Sequence, residues 1–239
     1  MTMENIKSEP LPETGQPVGL KVDTTSGQRP GPVTLQGRHG RVEKLKAEHA
    51  ADLWPLVRDD DTIWTYMSYG PFADGAEFSA WLAARPALDD PYSYAIVDTN
   101  ERCVGIATLM EIRPANAVIE VGHIVYSPAL QKTPLGTEAQ YLLARYAFET
   151  LGYRRYEWKC NALNAPSRRA ALRYGFKFEG ILRQQMFAKG RNRDTAYYSI
   201  LDSEWPTRKA AFEQWLSPDN FGADGKQKVS LRALNGTPE

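Results

Sequence analysis

The sequence predicts an α/β fold, a sandwich of helices around a mixed, mostly antiparallel sheet. Three strand-like segments separated by short turns follow one another between residues 92 and 126, which is typical of an antiparallel meander. From residue 139 the spacing of apolar residues becomes helical, and further helix and strand patterns follow one another as far as residue 216. The order lacks the regular alternation of a doubly wound fold.

The first elements are two helices and the meander. Apolar side chains fall at helical spacing in residues 49–57 and again in residues 78–82, before Pro86. The three strands of the meander are predicted at residues 92–97, 104–112 and 118–126. Residues 98–100 and 113–116 contain the Asp, Asn and Pro that favour turns between them.

A long helix and a second group of strands follow. Apolar residues at i, i+3, i+4, i+7, i+8 and i+12 from Ala139 form one stripe, which Gly152 ends. The later elements are a strand at 153–160, a helix at 165–174, strands at 176–184 and 195–201, and a helix at 204–216. The charged residues 189–194 are predicted to form a solvated turn between the last two strands, with a position at the rim of the cleft as the alternative.

The two ends of the chain differ in composition from its middle. Residues 1–32 are rich in glycine and proline and have few large apolar groups, so we expect a flexible N-terminal tail. Residues 33–216 are expected to form one domain, and residues 217–239 a loosely packed C-terminal extension. A chain of 239 residues can bury such a core without disulfides or metals.

Composition excludes several classes of protein. The 29 basic and 29 acidic residues balance, which argues against a protein that binds nucleic acid through bulk charge. No apolar run is long enough for a membrane helix and no secretory signal is evident, so we expect a cytoplasmic protein without a membrane partner. Cys103 and Cys160 lack metal-ligand spacing, so we predict buried thiols and no metal.

Residues 127–136 are the first candidates for chemistry. They lead into the long helix, and the first acidic residue after position 127 is Glu138, inside that helix. The free N–H groups and the dipole of a helix start favour an anion, and Gly136 lets the backbone approach a phosphate closely. An ordinary helix entry capped by Thr133 or Thr137 is the alternative interpretation.

A second stretch makes the pattern more specific. Its residues are Asn164, Ser167, Ala170, Gly175-Phe176 and Glu179-Gly180. They resemble the second acetyl-CoA motif of the GNAT acyltransferase superfamily, in its RimJ/RimL-like branch. Gln131 to Ala139, with Gly136, resembles the first motif, and Glu120-Val121-Gly122 matches the branch. The resemblance covers roughly residues 33–205 and implies a GNAT-like three-layer α/β/α sandwich.

The resemblance also implies where acetyl-CoA binds. Strands 118–127 and 153–160 would part at their carboxyl ends, with pantetheine in the gap and the pyrophosphate on the 131–136 loop. The implied cofactor-binding residues are Ile124, Val125, Tyr126, Gln131, Lys132, Thr133, Leu135, Gly136, Thr137, Asn164 and Ser167. Asn164 also suits the capping position of the next helix. Lys132, Arg168 and Arg169 are candidates for the nucleotide phosphates.

Two positions depart from the family pattern. Pro134 replaces a glycine of the first motif, which removes one amide donor. Ala171 occupies the position at which many relatives have a tyrosine that protonates the departing thiolate. Ser167 is the substitute that the branch suggests. We expect direct transfer without a covalent enzyme intermediate, with N–H groups of strand 118–127 stabilising the oxyanion.

A general base must accept a proton from the attacking amine. Glu120 is a charge in an otherwise apolar strand, which is costly unless the residue is paired or functional. A solvent-facing Glu120, or one paired with Arg113, is an equally good interpretation. Glu111 and His123 are the other candidates.

The predicted function is acetyl-CoA-dependent N-acetyltransfer to the primary amine of a small metabolite or amino acid. A protein N-terminus as acceptor and a non-catalytic acyl-CoA-binding sensor are the alternatives, and a homodimer is left open. Residues 48–120 contain 13 acidic and 4 basic residues, and residues 131–193 contain 13 basic and 4 acidic. We therefore expect an acidic acceptor side that attracts a cationic amine. Aromatic residues 64–72 would form a substrate wall or pack over the core.

Overall fold

The computed structural model describes residues 6–236. The strands are β1 (Ser8–Pro10), β2 (Pro17–Gly19), β3 (Leu35–Gln36), β4 (Gly40–Lys44), β5 (Tyr92–Asp98), β6 (Cys103–Arg113), β7 (Val118–Tyr126), β8 (Arg155–Asn161), β9 (Lys177–Ala188) and β10 (Arg191–Leu201). The α-helices are α1 (His49–Val57), α2 (Gly75–Ala83), α3 (Pro134–Arg145), α4 (Ala165–Arg173), α5 (Trp205–Leu216) and α6 (Leu231–Leu234).

Eight strands form one sheet in the order β3-β4-β5-β6-β7-β8-β10-β9, and β1 pairs with β2 in a separate hairpin. The meander of β5, β6 and β7 is confirmed, and β4 extends it. Within residues 6–236, β7 and β8 are the one parallel pair, because α3 crosses over between them. The sheet is therefore mixed and mostly antiparallel, as predicted.

The sheet is the middle layer of three. On β5, Tyr94 and Ile96 pack into a core that contains α3 and α5. Ala95 and Val97 pack on the opposite face, into a core that contains α1 and α2. This alternation is the two-residue period of a strand that is buried on both faces. The α/β/α sandwich is confirmed.

The charged hairpin between β9 and β10 differs from its prediction. Residues 189–194 are mostly strand, and the turn consists of Lys189 and Gly190 alone. Strand β9 is exposed at the edge of the sheet, and the first four residues of β10 are exposed or half-buried, so this part of the hairpin needs no apolar alternation. A carboxylate oxygen of Asp194 accepts the Gln184 N–H at 2.7 Å, next to a shift in strand register.

Both terminal segments contact the domain. The predicted N-terminal tail contains β1 and β2, and the N–H groups of Gly27 and Gln28 donate to the carbonyls of Pro114 and Leu151. The predicted C-terminal extension contains α6. Residues 1–5 and 237–239 of these segments lie outside the described residues. The limits of the domain stay a prediction.

The aromatic stretch after α1 belongs largely to the core. Trp64 is 1% exposed, and its ring packs edge-on against Phe72, Phe78 and Trp81, with centroids 5.1, 6.3 and 6.0 Å away. Tyr66 and Met67, by contrast, border the cavity described below. Packing over the core is therefore the correct interpretation for Trp64.

We expect Trp64→Ala to lower the free energy of unfolding by about 3–5 kcal/mol, because it leaves a cavity in a packed core. Urea unfolding followed by circular dichroism measures the change. Leu163→Ala is the control, since Leu163 is 76% exposed and its loss removes little packing. Equal stability of the two variants would show that Trp64 is not part of the core.

Candidate active site

Strands β7 and β8 pair only along their first halves. The parallel pairs run from Val118 with Arg155 to Val121 with Trp158, and no pair follows them. A cavity of about 780 Å³ opens where the strands part. Its walls include residues 120–124 of β7 and residues 158–161 of β8. The gap expected between the carboxyl ends of these strands is present.

Strand β7 is distorted at the cavity wall. The register with β6 shifts between the pairs Thr108–Gly122 and Ile106–Val125, so His123 and Ile124 form a bulge. The φ angle of His123 is 45°, in the left-handed region that is strained for a residue with a side chain. Bulges of this kind are common beside active sites. Beyond Val121, the edge of β7 that faces the gap has no partner strand.

The start of α3 borders the cavity. Thr133 caps the helix by accepting the Gly136 N–H at 3.2 Å, and Pro134 is the first helical residue. The capping of this helix by Thr133, one interpretation of the sequence, is therefore confirmed. The cap adds no negative charge to the helix start. The first turn carries no acidic side chain, so its positive end can still attract an anion. The cavity wall here contains Gln131, Lys132, Thr133, Pro134, Gly136 and Thr137.

Gly136 is required by close packing. A Cβ atom at this position would lie 2.9 Å from the carbonyl oxygen of Leu130 and 3.1 Å from the ring of Tyr126. The Tyr126 hydroxyl donates to the Gly136 carbonyl at 2.8 Å, and Gln140 Nε2 donates to that hydroxyl at 2.8 Å. Strand, loop and helix are thus held together around a residue that has no side chain.

Arg173 of α4 reaches the same end of the cavity. Its guanidinium donates to Thr137 Oγ1 at 3.0 Å and lies over the Trp215 ring, 4.8 Å from the centroid. Lys132 and Arg169 also border the cavity. The motif pattern does not single out Arg173, because only the tertiary position of α4 brings this side chain to Thr137 of α3 and Trp215 of α5.

Arg168, a sequence candidate for the phosphates, is not on the cavity wall. Its guanidinium donates to the Tyr198 hydroxyl at 3.3 Å and to the Ala162 carbonyl at 3.2 Å. Adjacent helix positions point about 100° apart, so Arg169 faces the cavity when Arg168 does not.

Asn164 and Ser167 lie at the start of α4, and both border the cavity. Asn164 Oδ1 accepts the Ser167 N–H at 3.1 Å and so caps the helix, as one interpretation of the sequence expected. Ser167 Oγ accepts the Trp158 Nε1–H at 3.0 Å. Because the indole occupies a lone pair, the Ser167 hydroxyl can donate its proton, and the Cys160 sulfur is one neighbour within its reach.

Glu120 is 5% exposed and lies on the cavity wall. Its Oε2 lies 2.8 Å from Lys159 Nζ, whereas Arg113 pairs with Glu157 instead. Burial raises the pKa of Glu120 to about 7; Lys159 lowers this pKa and Glu157 raises it. Glu120 can therefore gain and lose a proton near neutral pH.

The other two base candidates are less suitable. Glu111 is exposed and is not on the cavity wall. His123 borders the cavity, and its Nδ1 lies 3.0 Å from the Tyr69 hydroxyl. Burial, together with the charges of Arg85 and Arg193, lowers the pKa of His123 to about 4. The imidazole is therefore neutral and a weak base at physiological pH.

Three further positions complete the wall and its surroundings. The side chains of Val125 and Leu135 are buried in the hydrophobic cores, so only their main chain could contact a ligand. Cys160 borders the cavity, a position that the sequence pattern around it does not predict. Burial raises the pKa of the Cys160 thiol, so the group stays protonated and is a poor nucleophile.

The charges on the wall contradict the expected acidic acceptor side. Among the described residues, the cavity wall has one carboxylate, Glu120. Its basic residues are Lys132, Lys159, Arg169, Arg173 and Arg193. Acidic residues of the N-terminal half are used elsewhere: Asp60, Asp74 and Asp90 accept backbone N–H groups at helix starts and turns.

Two further properties concern the described part of the chain. Within residues 6–236, no group of three or more His, Cys, Asp or Glu side chains is placed to hold a metal ion. In the same range, every helix is too short or too polar to cross a membrane.

A family model described as an acetyltransferase (GNAT) domain matches residues 41–177, more than half of the chain. The chain therefore belongs to the GNAT family of acetyltransferases, which use acetyl-CoA, and its relatives place it in the RimJ/RimL-like branch.

The similar proteins include solved structures and a curated relative. The chain is 45% identical to a GCN5-related N-acetyltransferase from Brucella melitensis, with a TM-score of 0.86 over 89% of this chain and 98% of that one. A probable GNAT acetyltransferase from Chromobacterium violaceum is 41% identical, with a TM-score of 0.74 over 79% and 96%. The ribosomal-protein-serine acetyltransferase of Escherichia coli is 30% identical over 168 residues, 68% of this chain and 93% of that protein.

We expect Gly136→Asp to abolish CoA binding, because the Cβ atom meets the Leu130 carbonyl and the carboxylate repels phosphates at the helix start. Calorimetric titration with CoA measures the affinity. Gly180→Asp is the matched control, since a Cβ atom at Gly180 meets nothing within 4 Å. A folded Gly136→Asp protein with unchanged affinity would place the phosphates elsewhere.

Proposed function

We propose that this chain is an acetyl-CoA-dependent N-acetyltransferase that acetylates the primary amine of a small metabolite or amino acid by direct transfer. The observation that carries the proposal is the cavity between the parted ends of β7 and β8. It brings together a buried carboxylate whose pKa is raised to about 7, Glu120, and a hydroxyl that can donate a proton, Ser167.

The residues at the start of α3 fit the phosphates of acetyl-CoA. The glycine at position 136 leaves space beside the helix dipole, and Lys132, Arg169 and Arg173 supply positive charge. The open edge of β7 beyond Val121 suits the amides of a pantetheine arm, which would bind like an added strand. Acetyl-CoA supplies the activated acetyl thioester.

Two residues carry out the proton transfers: Glu120 accepts a proton and Ser167 donates one. The amine nitrogen attacks the thioester carbonyl carbon and gives its proton to Glu120. The carbon–sulfur bond breaks, and the departing thiolate takes a proton from Ser167. Solvent then returns a proton to Ser167 and accepts one from Glu120, so both groups regain their starting states. Main-chain N–H groups at the β7 bulge would stabilise the oxyanion. No covalent enzyme intermediate is needed, which agrees with the protonated state of the Cys160 thiol.

A protein N-terminus is the second candidate acceptor, favoured by the similarity to a ribosomal-protein-serine acetyltransferase. Two contacts close the acceptor end and favour a small amine. Lys189 Nζ donates to the Trp64 carbonyl at 2.7 Å, and the Tyr66 hydroxyl donates to the Leu163 carbonyl at 3.2 Å. These contacts join the segment after α1 to the β9–β10 hairpin and to the turn before α4. Homodimerisation stays a prediction for sedimentation of the full chain to test.

Mass spectrometry of reaction products tests the function. The protein is incubated with acetyl-CoA and either a metabolite extract or a set of short peptides. We expect small amines to gain one acetyl group each, with equimolar release of CoA. Acetylation of peptides alone would favour the second candidate. Binding of CoA without acetylation of any amine would indicate a non-catalytic sensor.

We expect Glu120→Gln to lower kcat/KM about 100-fold, the usual contribution of a general base. A base acts only when it is deprotonated, so the activity of the unchanged protein should rise as pH increases through about 7, the raised pKa of Glu120. The Gln variant should lose this rise. Glu111→Gln is the control, because Glu111 is exposed on the neighbouring strand. An unchanged pH profile in Glu120→Gln would assign the base to another group.

A further inference from the structure

We propose that the amine acceptor carries an anionic group, a carboxylate or a phosphate, and that Arg193 binds it. The inference rests on the proposed function and narrows its substrate class. It replaces the cationic acceptor that the distribution of charge along the sequence favoured.

Arg193 lies on the cavity wall, near the turn of the β9–β10 hairpin. Strand β10 pairs with β8 as far as Thr195 opposite Asn161, so Arg193 lies beyond the end of β8. The adjoining turn contacts the segment after α1 through Lys189 and the Trp64 carbonyl, at 2.7 Å. These contacts place Arg193 at the acceptor end of the cavity.

Within residues 6–236, Arg193 forms no ion pair, and its buried Nε has no hydrogen-bond acceptor. The adjacent Asp194 is already engaged by the Gln184 N–H at 2.7 Å and by Asn192 Nδ2 at 2.9 Å. Arg193 as a whole is half-buried, but a donor nitrogen that is buried without a partner is costly. An incoming anion would remove this cost.

Lys159, the other basic residue near Arg193 on the cavity wall, is not a candidate for binding the anion. Lys159 Nζ lies 2.8 Å from a carboxylate oxygen of Glu120 and 3.1 Å from one of Glu157. Its charge is therefore neutralised by the protein. Arg193 is the positive charge on this part of the wall for which the described residues supply no anion.

The phosphates of acetyl-CoA do not account for Arg193. Their basic partners cluster at the start of α3, where Arg173 is bonded to Thr137. The charge of Arg193 instead acts on His123 at the β7 bulge and on Cys160 of β8. Burial lowers the pKa of His123 and Arg193 adds to this effect, whereas burial raises the pKa of Cys160 and Arg193 opposes the rise. A guanidinium binds a carboxylate or a phosphate through two parallel hydrogen bonds, which would orient the acceptor.

Matched acceptor pairs that differ only in the anion test the proposal. The pairs are free amino acids with their amides, phosphoethanolamine with ethanolamine, and short peptides with glutamate or glutamine at the second position. We expect kcat/KM to be at least tenfold higher for the charged member of one class of pair. The class that shows the difference identifies the source of the anion.

Arg193→Gln should remove this preference by lowering kcat/KM at least tenfold for the charged member alone, and Arg193→Lys should restore part of it. Arg191→Gln is the matched control, because Arg191 is exposed on the same strand and is not on the cavity wall. Calorimetric binding of the charged member to the CoA-saturated protein gives a second measure that needs no turnover.

Equal efficiency of charged and neutral members overturns the inference but leaves the proposed function intact. The same is true if Arg193→Gln weakens both members equally. If no amine is acetylated, the proposed function fails. In that case, unchanged calorimetric binding in Arg193→Gln overturns the inference, and weaker binding of the charged member supports an anion site.

Discussion

The point at which β7 and β8 stop pairing is the constraint on which the site depends. Each strand keeps its other neighbour, β6 for β7 and β10 for β8, so the gap stays open while both strands remain in the sheet. A strand edge without a partner is unfavourable unless water or a ligand satisfies its main-chain groups. The open edge of β7 is therefore suited to an extended molecule, as the proposed binding of pantetheine requires. The bulge at His123 lies in the part of β7 that pairs with β6 but not with β8.

The same junction explains the behaviour of Glu120. This residue is opposite Glu157, within the last paired residues of β7, and Lys159 is the first residue of β8 after the pairing ends. Their ion pair therefore spans the closed end of the gap. Burial favours the neutral carboxyl and Lys159 favours the carboxylate, so the opposing effects leave the pKa of Glu120 near neutrality. A carboxyl group on the surface would not be a base of this strength.

The sequence predicts the mixed sheet and its flanking helices because local patterns determine them. Strand alternation, the apolar stripe of α3, and the glycine, asparagine and serine of the two motifs all reflect short-range geometry. Arg173 and Arg193 could not be found in this way, since the packing of α4 and the register of β10 place them. Charge totals along the chain favoured an acidic acceptor side, whereas the described cavity wall carries one carboxylate and five basic residues. The acidic side chains cap turns and helix starts, and the order of residues alone does not show which charges face a cavity.

A crystal structure of the complex with CoA tests the central claim most directly. The pantetheine arm should lie between residues 122–126 of β7 and residues 159–161 of β8, with the pyrophosphate at the start of α3 beside Gly136 and Arg173. The sulfur atom should lie near Ser167. Binding of CoA outside the gap, with β7 and β8 still parted and the gap unfilled, would contradict the assignment of this cavity as the donor site.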